Sequence, residues 1–125
     1  MERFYYRRLS VYQNAKQFAR EVNDVLKRFP DAERFALTSQ LRRTSTSVMF
    51  NIAEGFGRYT NKDRVRFIDI ANGSLMESSS ELELAESYGY ITCEELNLFD
   101  DKIEIMSSNW LNCVQHYLLN NLWKN

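Results

Sequence analysis

The chain has 125 residues, of which 44% are hydrophobic and 26% charged, with one proline, four glycines and two cysteines. That is one globular domain, spanning 1–125, with a core of ordinary size. Turn-formers are too few for an all-β fold, apolar runs are too short for a membrane span, and cysteines are too few for a disulfide scaffold. The net charge of −1 hides an asymmetry: residues 1–68 carry 14 basic and 7 acidic residues, or +7, and residues 69–125 carry 2 and 10, or −8. Such a split suits either a basic face for a polyanion or complementary faces for assembly. The opening Met1-Glu2-Arg3-Phe4-Tyr5-Tyr6-Arg7-Arg8 lacks the apolar core of a secretory signal, so a cytoplasmic protein is expected.

The spacing predicts a first helix over Leu9–Phe29. Val11, Ala15, Phe18, Val22, Val25 and Phe29 step by four and three, an apolar seam widened by Tyr12, Ala19 and Leu26. Pro30 ends it, and Asp31 and Glu33 suit the start of a second helix, over Asp31–Phe56. Leu37, Leu41, Thr44, Val48 and Ile52 form its stripe. Gly55 and Gly57 bracket its end, where a left-handed residue is expected. A third helix follows over Asn61–Tyr88, with Thr60 as N-cap and Asp63 in the first turn. Its stripe is Phe67, Ile70, Ala71, Ser74, Leu75, Ser78, Leu82 and Ala85, rich in small residues that let a neighbour approach, and Gly89 closes it. Thr92-Cys93-Glu94-Glu95 has the capping-box pattern and opens a fourth helix, running to about Leu122. Leu96, Phe99, Ile103, Met106, Trp110, Cys113 and Tyr117 make its heptad seam. With short connections, the expected fold is all-α, an antiparallel up-down-up-down four-helix bundle.

The second helix also carries a polar ladder: Gln40, Arg43, Ser47, Asn51, Glu54 and Arg58. It reads either as a binding or assembly surface or as a solvated face with helix-pair salt bridges such as Glu54–Arg58. The segment Gly55-Phe56-Gly57-Arg58-Tyr59-Thr60-Asn61-Lys62, with Arg64 and Arg66 beyond, has some features of a phosphate cradle at a helix N-terminus. It lacks the Walker ending and the dinucleotide fingerprint, and a plain turn with basic flanks is the simpler reading. Arg3, Tyr5, Tyr6, Arg7 and Arg8 mix cations with rings. They suit nucleic acid, with arginine on phosphate and tyrosine on bases, or an arm over a neighbouring subunit.

Enzymatic machinery is not evident. Cys113 and His116 share a helical face, yet no third group or oxyanion hole accompanies them. One histidine and two separated cysteines make no zinc site, and Asp100, Asp101 and Glu104 lack the glycine turn of a calcium loop. No catalytic residue, metal or cofactor is expected. The aromatic residues Phe18, Phe29, Phe67, Phe99, Trp110 and Tyr117 fall on seams and read as core.

Several segments together carry a resemblance: Leu9-Ser10-Val11-Tyr12-Gln13 with Ala15, Phe29-Pro30 with Glu33, Leu37-Thr38-Ser39-Gln40-Leu41-Arg42-Arg43 with Ser47, Asn51-Ile52-Ala53-Glu54-Gly55 with Gly57-Arg58, and Phe67, Ala71, Gly73-Ser74, Glu77 and Leu84-Ala85. They resemble the four-helix-bundle family encoded in intervening sequences of bacterial 23S ribosomal RNA genes. The accessory variability proteins of diversity-generating retroelements belong to the same group. Tyr12 stands where tryptophan is usual. The resemblance implies a ring-like homopentamer without enzymatic activity, nucleic-acid binding, and partnership with a reverse transcriptase in the retroelement member. It carries over to Gln40, Arg42, Arg43, Ser47, Asn51, Glu54 and Arg58. An isoelectric point of about 5.9 departs from a strongly basic binder. Two functions are therefore expected. One is nucleic-acid binding through Arg42, Arg43, Arg58, Lys62, Arg64 and Arg66, with Arg7 and Arg8 as additions. The other is an oligomeric scaffold for a reverse transcriptase or another protein, with Gln40, Ser47, Asn51 and Glu54 serving assembly.

Overall fold

The computed structural model describes residues 4–121, excepting the side chains of 113 and 116–121. Among these residues there are four α-helices and no strand: α1 (Ser10–Leu26), α2 (Leu37–Phe56), α3 (Asn61–Ser87) and α4 (Cys93–Asn121). Short 3-10 turns cover Tyr5–Arg8 and Asp31–Glu33. Among the described residues no helix is long and apolar enough to cross a membrane.

The apolar seams become one core. Phe18 and Val22 of α1, Leu41, Val48 and Ile52 of α2, Ala71, Leu75 and Leu82 of α3, and Phe99, Ile103, Met106 and Trp110 of α4 are all buried in it. Burying each large side chain contributes roughly 1.5–3 kcal/mol, so this cluster is the main source of stability. Successive helices pack on each other, most extensively α2 on α3, while α4 returns to α1 through a lighter contact. Lys102–Glu21 and Arg28–Glu95 ion pairs cross that last seam. The seam residues Cys113 and Tyr117, like His116, have side chains outside the described ones.

Local signals explain the helix starts after α2. Thr60 Oγ1 accepts the Asp63 N–H at 3.1 Å and caps α3. At α4, Thr92 Oγ1 accepts the Glu95 N–H at 3.1 Å, and Glu95 Oε1 accepts the Thr92 N–H at 2.9 Å, a reciprocal box. Gly89, with φ of 81°, ends the turn after α3 in the left-handed region.

Three expectations are corrected. α2 begins at Leu37, not Asp31. Asp31–Glu33 makes only a 3-10 turn, and Ala36 (φ −122°, ψ −106°) leaves the helical path before α2 starts. The Glu33 carboxylate instead accepts the Tyr90 hydroxyl at 3.0 Å, linking the α1–α2 and α3–α4 connections. Gly57 is not left-handed; its φ is −86°. Gly55 lies inside α2, where a Cβ would sit 3.1 Å from Phe67 Cβ and 3.3 Å from the Arg64 carbonyl. Its role is close approach of α2 to α3. Ile70, placed on the α3 stripe by spacing, is exposed.

Candidate nucleic-acid interface

Two polar groupings form along α2, one at each end. Arg42 and Phe56, the last residue of α2, are about 21 Å apart along the axis at 1.5 Å per residue. The six basic residues expected on nucleic acid are therefore not one patch. Arg58, Lys62, Arg64 and Arg66 gather at the α2–α3 corner, and Arg42 and Arg43 stay with the other end.

The corner is built from a capped helix start and a close helix crossing. Arg58 pairs with Glu54 at 2.5 Å, and its guanidinium lies 4.5 Å from the Phe67 ring centre. Arg66 covers the same ring at 5.2 Å. Arg64 reaches back to the Arg58 carbonyl at 3.0 Å and to Asn61 Oδ1 at 3.2 Å. These contacts tie the turn Gly57–Thr60 to α3, and Lys62 is exposed.

The Tyr5–Arg8 turn completes the corner. Tyr6 meets Tyr12 edge-on at 5.0 Å, which anchors it to α1. Gln13 donates to the Arg7 carbonyl. Arg7 stacks over Phe4 at 5.0 Å and Arg8 over Tyr5 at 5.3 Å. Between this turn and the α2–α3 corner lies an open concavity of about 630 Å³, lined by Tyr6, Phe50, Glu54, Arg58, Tyr59 and Asp63 among others. A second hollow of about 480 Å³, lined by Phe4, Tyr5, Tyr6, Phe56 and Arg64, adjoins it. Tyr59 is 100% exposed, Tyr5 65% and Phe50 61%. Phe50 and Tyr59 are functional candidates missed by spacing. The signal was their position off every apolar seam, which leaves a large ring without a core role.

At the far end of α2, Gln40, Arg42 and Arg43 are exposed and a buried polar seam runs beside them between α2 and α3. Thr44 donates to the Glu81 carboxylate, whose residue is only 6% exposed and whose Oε2 has no partner. Burial pushes the Glu81 carboxyl above its usual range, with Glu77 adding repulsion, against the opposing pull of Thr44, Arg43 and Gln40. Further along, Ser47 and Ser74 hydroxyls meet at 3.0 Å, and Asn51 Nδ2 donates to the Ser47 carbonyl and hydroxyl at 2.8 and 2.9 Å. Ser78 bonds back to the Ser74 carbonyl at 2.9 Å. Thus Ser47 joins α2 to α3 and Asn51 braces it from within α2, while Gln40, Arg43 and Glu54 are exposed, the first two close enough to Glu81 to act on its carboxyl.

Among the described residues no three His, Cys, Asp or Glu side chains converge as a metal site. Asp100, Asp101 and Glu104 are exposed on α4, and Cys93 is exposed at its start.

A sequence model described as 23S rRNA-intervening sequence protein matches residues 7–111. The chain belongs to this family. The matched span takes in α1–α3 and most of α4, so the α2–α3 part of the corner and the buried seam lie within it, while Phe4, Tyr5 and Tyr6 precede it. A solved structure of a protein of unknown function from the S23 ribosomal protein family, from Bacteroides thetaiotaomicron, superposes with a TM-score of 0.76. The two are 22% identical, over 83% of this chain and 97% of that one. The likeness shows a shared fold. No curated protein matches the chain.

Proposed function

We propose that this member of the 23S rRNA-intervening sequence family is a non-enzymatic, homo-oligomeric nucleic-acid-binding protein of the cytoplasm. Its helices run up-down-up-down, and its α2–α3 corner with the Tyr5–Arg8 turn is the binding surface. The observation that carries this reading is the gathering of cations and exposed rings at one end of the molecule. Arg7, Arg8, Arg58, Lys62, Arg64 and Arg66 stand there against Glu54 and Asp63, a local surplus of four positive charges on a chain whose total is −1. Phosphate contacts position a strand and ring faces stack on its bases. Arg42 and Arg43 play no part in this surface; Arg43 faces Glu81 and offsets its charge.

The test is a binding titration over a salt series. Three phosphate contacts give a log–log slope of about −2 on single strands, or roughly a tenfold to thirtyfold loss of affinity between 50 and 200 mM salt. Replacing Arg58, Lys62 and Arg66 together by alanine lowers affinity at 50 mM salt and flattens the slope, while the Arg42, Arg43 double alanine variant does neither. An affinity unchanged by salt contradicts the reading.

A second reading is favoured by a different observation. Ile70, Met76 and Leu84 of α3 and Leu98, Ile105 and Leu111 of α4 are exposed apolar residues, which suits protein contacts. In that reading the protein is an assembled scaffold, a pentamer by family resemblance, for a reverse transcriptase or another partner. Recovery of a protein partner after nuclease treatment supports it; recovery of nucleic acid alone counts against it.

A further inference from the structure

The corner's chemistry distinguishes between the two forms a nucleic acid takes, and we infer that its ligand is an unpaired single strand rather than a duplex. The inference rests on the reading of the corner as a nucleic-acid interface and names what it takes. A duplex presents rows of phosphate and hides its base faces in the stack, so gripping it needs several unengaged cations across a broad surface. The corner offers only a narrow group: Arg58, its side chain 40% exposed beside Glu54, with the exposed Lys62 and Arg66 on neighbouring turns, while Arg64 is committed to the Arg58 carbonyl and Asn61.

Ring faces, by contrast, are plentiful. Tyr59 and Phe50 line the 630 Å³ concavity together with Tyr6, and Tyr5 lies in the adjoining hollow that Tyr6 also lines. An unpaired strand supplies bases to such rings whatever their sequence, because every base has a π-face. The concavity falls within the about 300–1,000 Å³ usual for ligand sites, and its Arg58 rim gives the intervening phosphate one charged contact. The concavity's own lining sets Glu54 and Asp63 against Arg58, and the basic surplus comes from Arg64 of the adjoining hollow with Lys62 and Arg66 in the first turns of α3; a polyanion matches that rim, which an uncharged apolar partner would leave unmatched.

The experiment uses the full chain and two fluorescein-labelled probes, a mixed-sequence RNA oligonucleotide and the same oligonucleotide annealed to its complement, followed by anisotropy at low salt. The single strand binds at least tenfold more tightly than the duplex. Tyr59→Ala weakens it about fivefold to 150-fold, the equivalent of about 1–3 kcal/mol of stacking per base, and Tyr59→Phe restores it. Tyr59 makes no core contact, so folding is not at stake. Equal or tighter duplex binding, or a Tyr59→Ala variant that binds normally, overturns the inference while leaving nucleic-acid binding itself intact. Absence of binding to either probe overturns both. A change of oligomeric state in Tyr59→Ala, with binding unaltered, assigns the rings to a second copy of the chain and overturns the inference as well.

Discussion

Replacing Glu81 by methionine should stabilise the protein at neutral and mildly alkaline pH. Glu81 sits in the α2–α3 seam at 6% exposure, with one oxygen bonded to Thr44 and the other without a partner. Leaving a buried acceptor unsatisfied costs about 1–3 kcal/mol, and the Thr44 bond returns part of that. Thr44 loses little by the change, since its hydroxyl also reaches the Gln40 and Leu41 carbonyls at 3.1 and 3.3 Å. Methionine has similar length and helix propensity and no polar atom to orphan. The expected gain is about 1–2 kcal/mol on those terms. Its pH dependence has a definite sign. The folded carboxyl is raised above 4.5, so the wild-type contribution is fully present below that value and is lost as pH rises through the folded one. The advantage of the variant should therefore be larger at pH 8 than at pH 4.5. Urea unfolding followed by circular dichroism at both values measures it. A methionine variant less stable than wild type at pH 8, or a difference that is the same at both pH values, would refute the argument.

Three other substitutions test the α2–α3 crossing and the capping box of α4. Gly55→Ala adds a Cβ against Phe67 Cβ and the Arg64 carbonyl, neither of which is a flexible end. Overpacking of about 1–3 kcal/mol should outweigh the helix gain of about 1 kcal/mol, giving a lower urea midpoint. Thr92→Ala removes the cap of α4 and should cost about 1 kcal/mol in the same assay. Glu95→Gln should reduce stability at neutral pH, and flatten its decline in acid. Arg28 and the Thr92 N–H hold the Glu95 carboxyl below its ordinary range, so that contribution is present above 4.5 and lost as pH falls through the folded value. An acid unfolding profile of Glu95→Gln that overlays the wild type would count against it.

The parts of the fold legible in the sequence were those set by neighbours along the chain. The seam from Phe99 to Trp110, the Thr60 cap and the Thr92–Glu95 box are local, and each stands where spacing put it. Features set by a facing helix were not legible. Ile70 and Glu81 are eleven positions apart and thus within roughly 20° of each other around α3. Yet the apolar one is exposed and the acidic one buried. The difference is what α2 places opposite: Gln40, Arg43 and Thr44 surround Glu81. Gly55 shows the same limit, since a glycine near a helix end reads as a left-handed cap until Phe67 is known to lie against it. At the candidate site, the basic residues were legible by type, but their division between two ends of α2 follows from helix length. Phe50 and Tyr59 matter because they are uncovered, which no periodicity states directly.

The most direct measurement of the central claim is the anisotropy titration of a labelled single-stranded RNA across 50–200 mM salt. Wild type is compared there with the Arg58, Lys62, Arg66 triple alanine variant and with the Arg42, Arg43 double alanine variant. Binding that falls roughly tenfold to thirtyfold with salt, is weakened with a flatter slope in the triple variant and is unchanged in the double, is the predicted result. Absence of binding at 50 mM, or loss in the double variant with retention in the triple, would contradict a nucleic-acid interface at the α2–α3 corner.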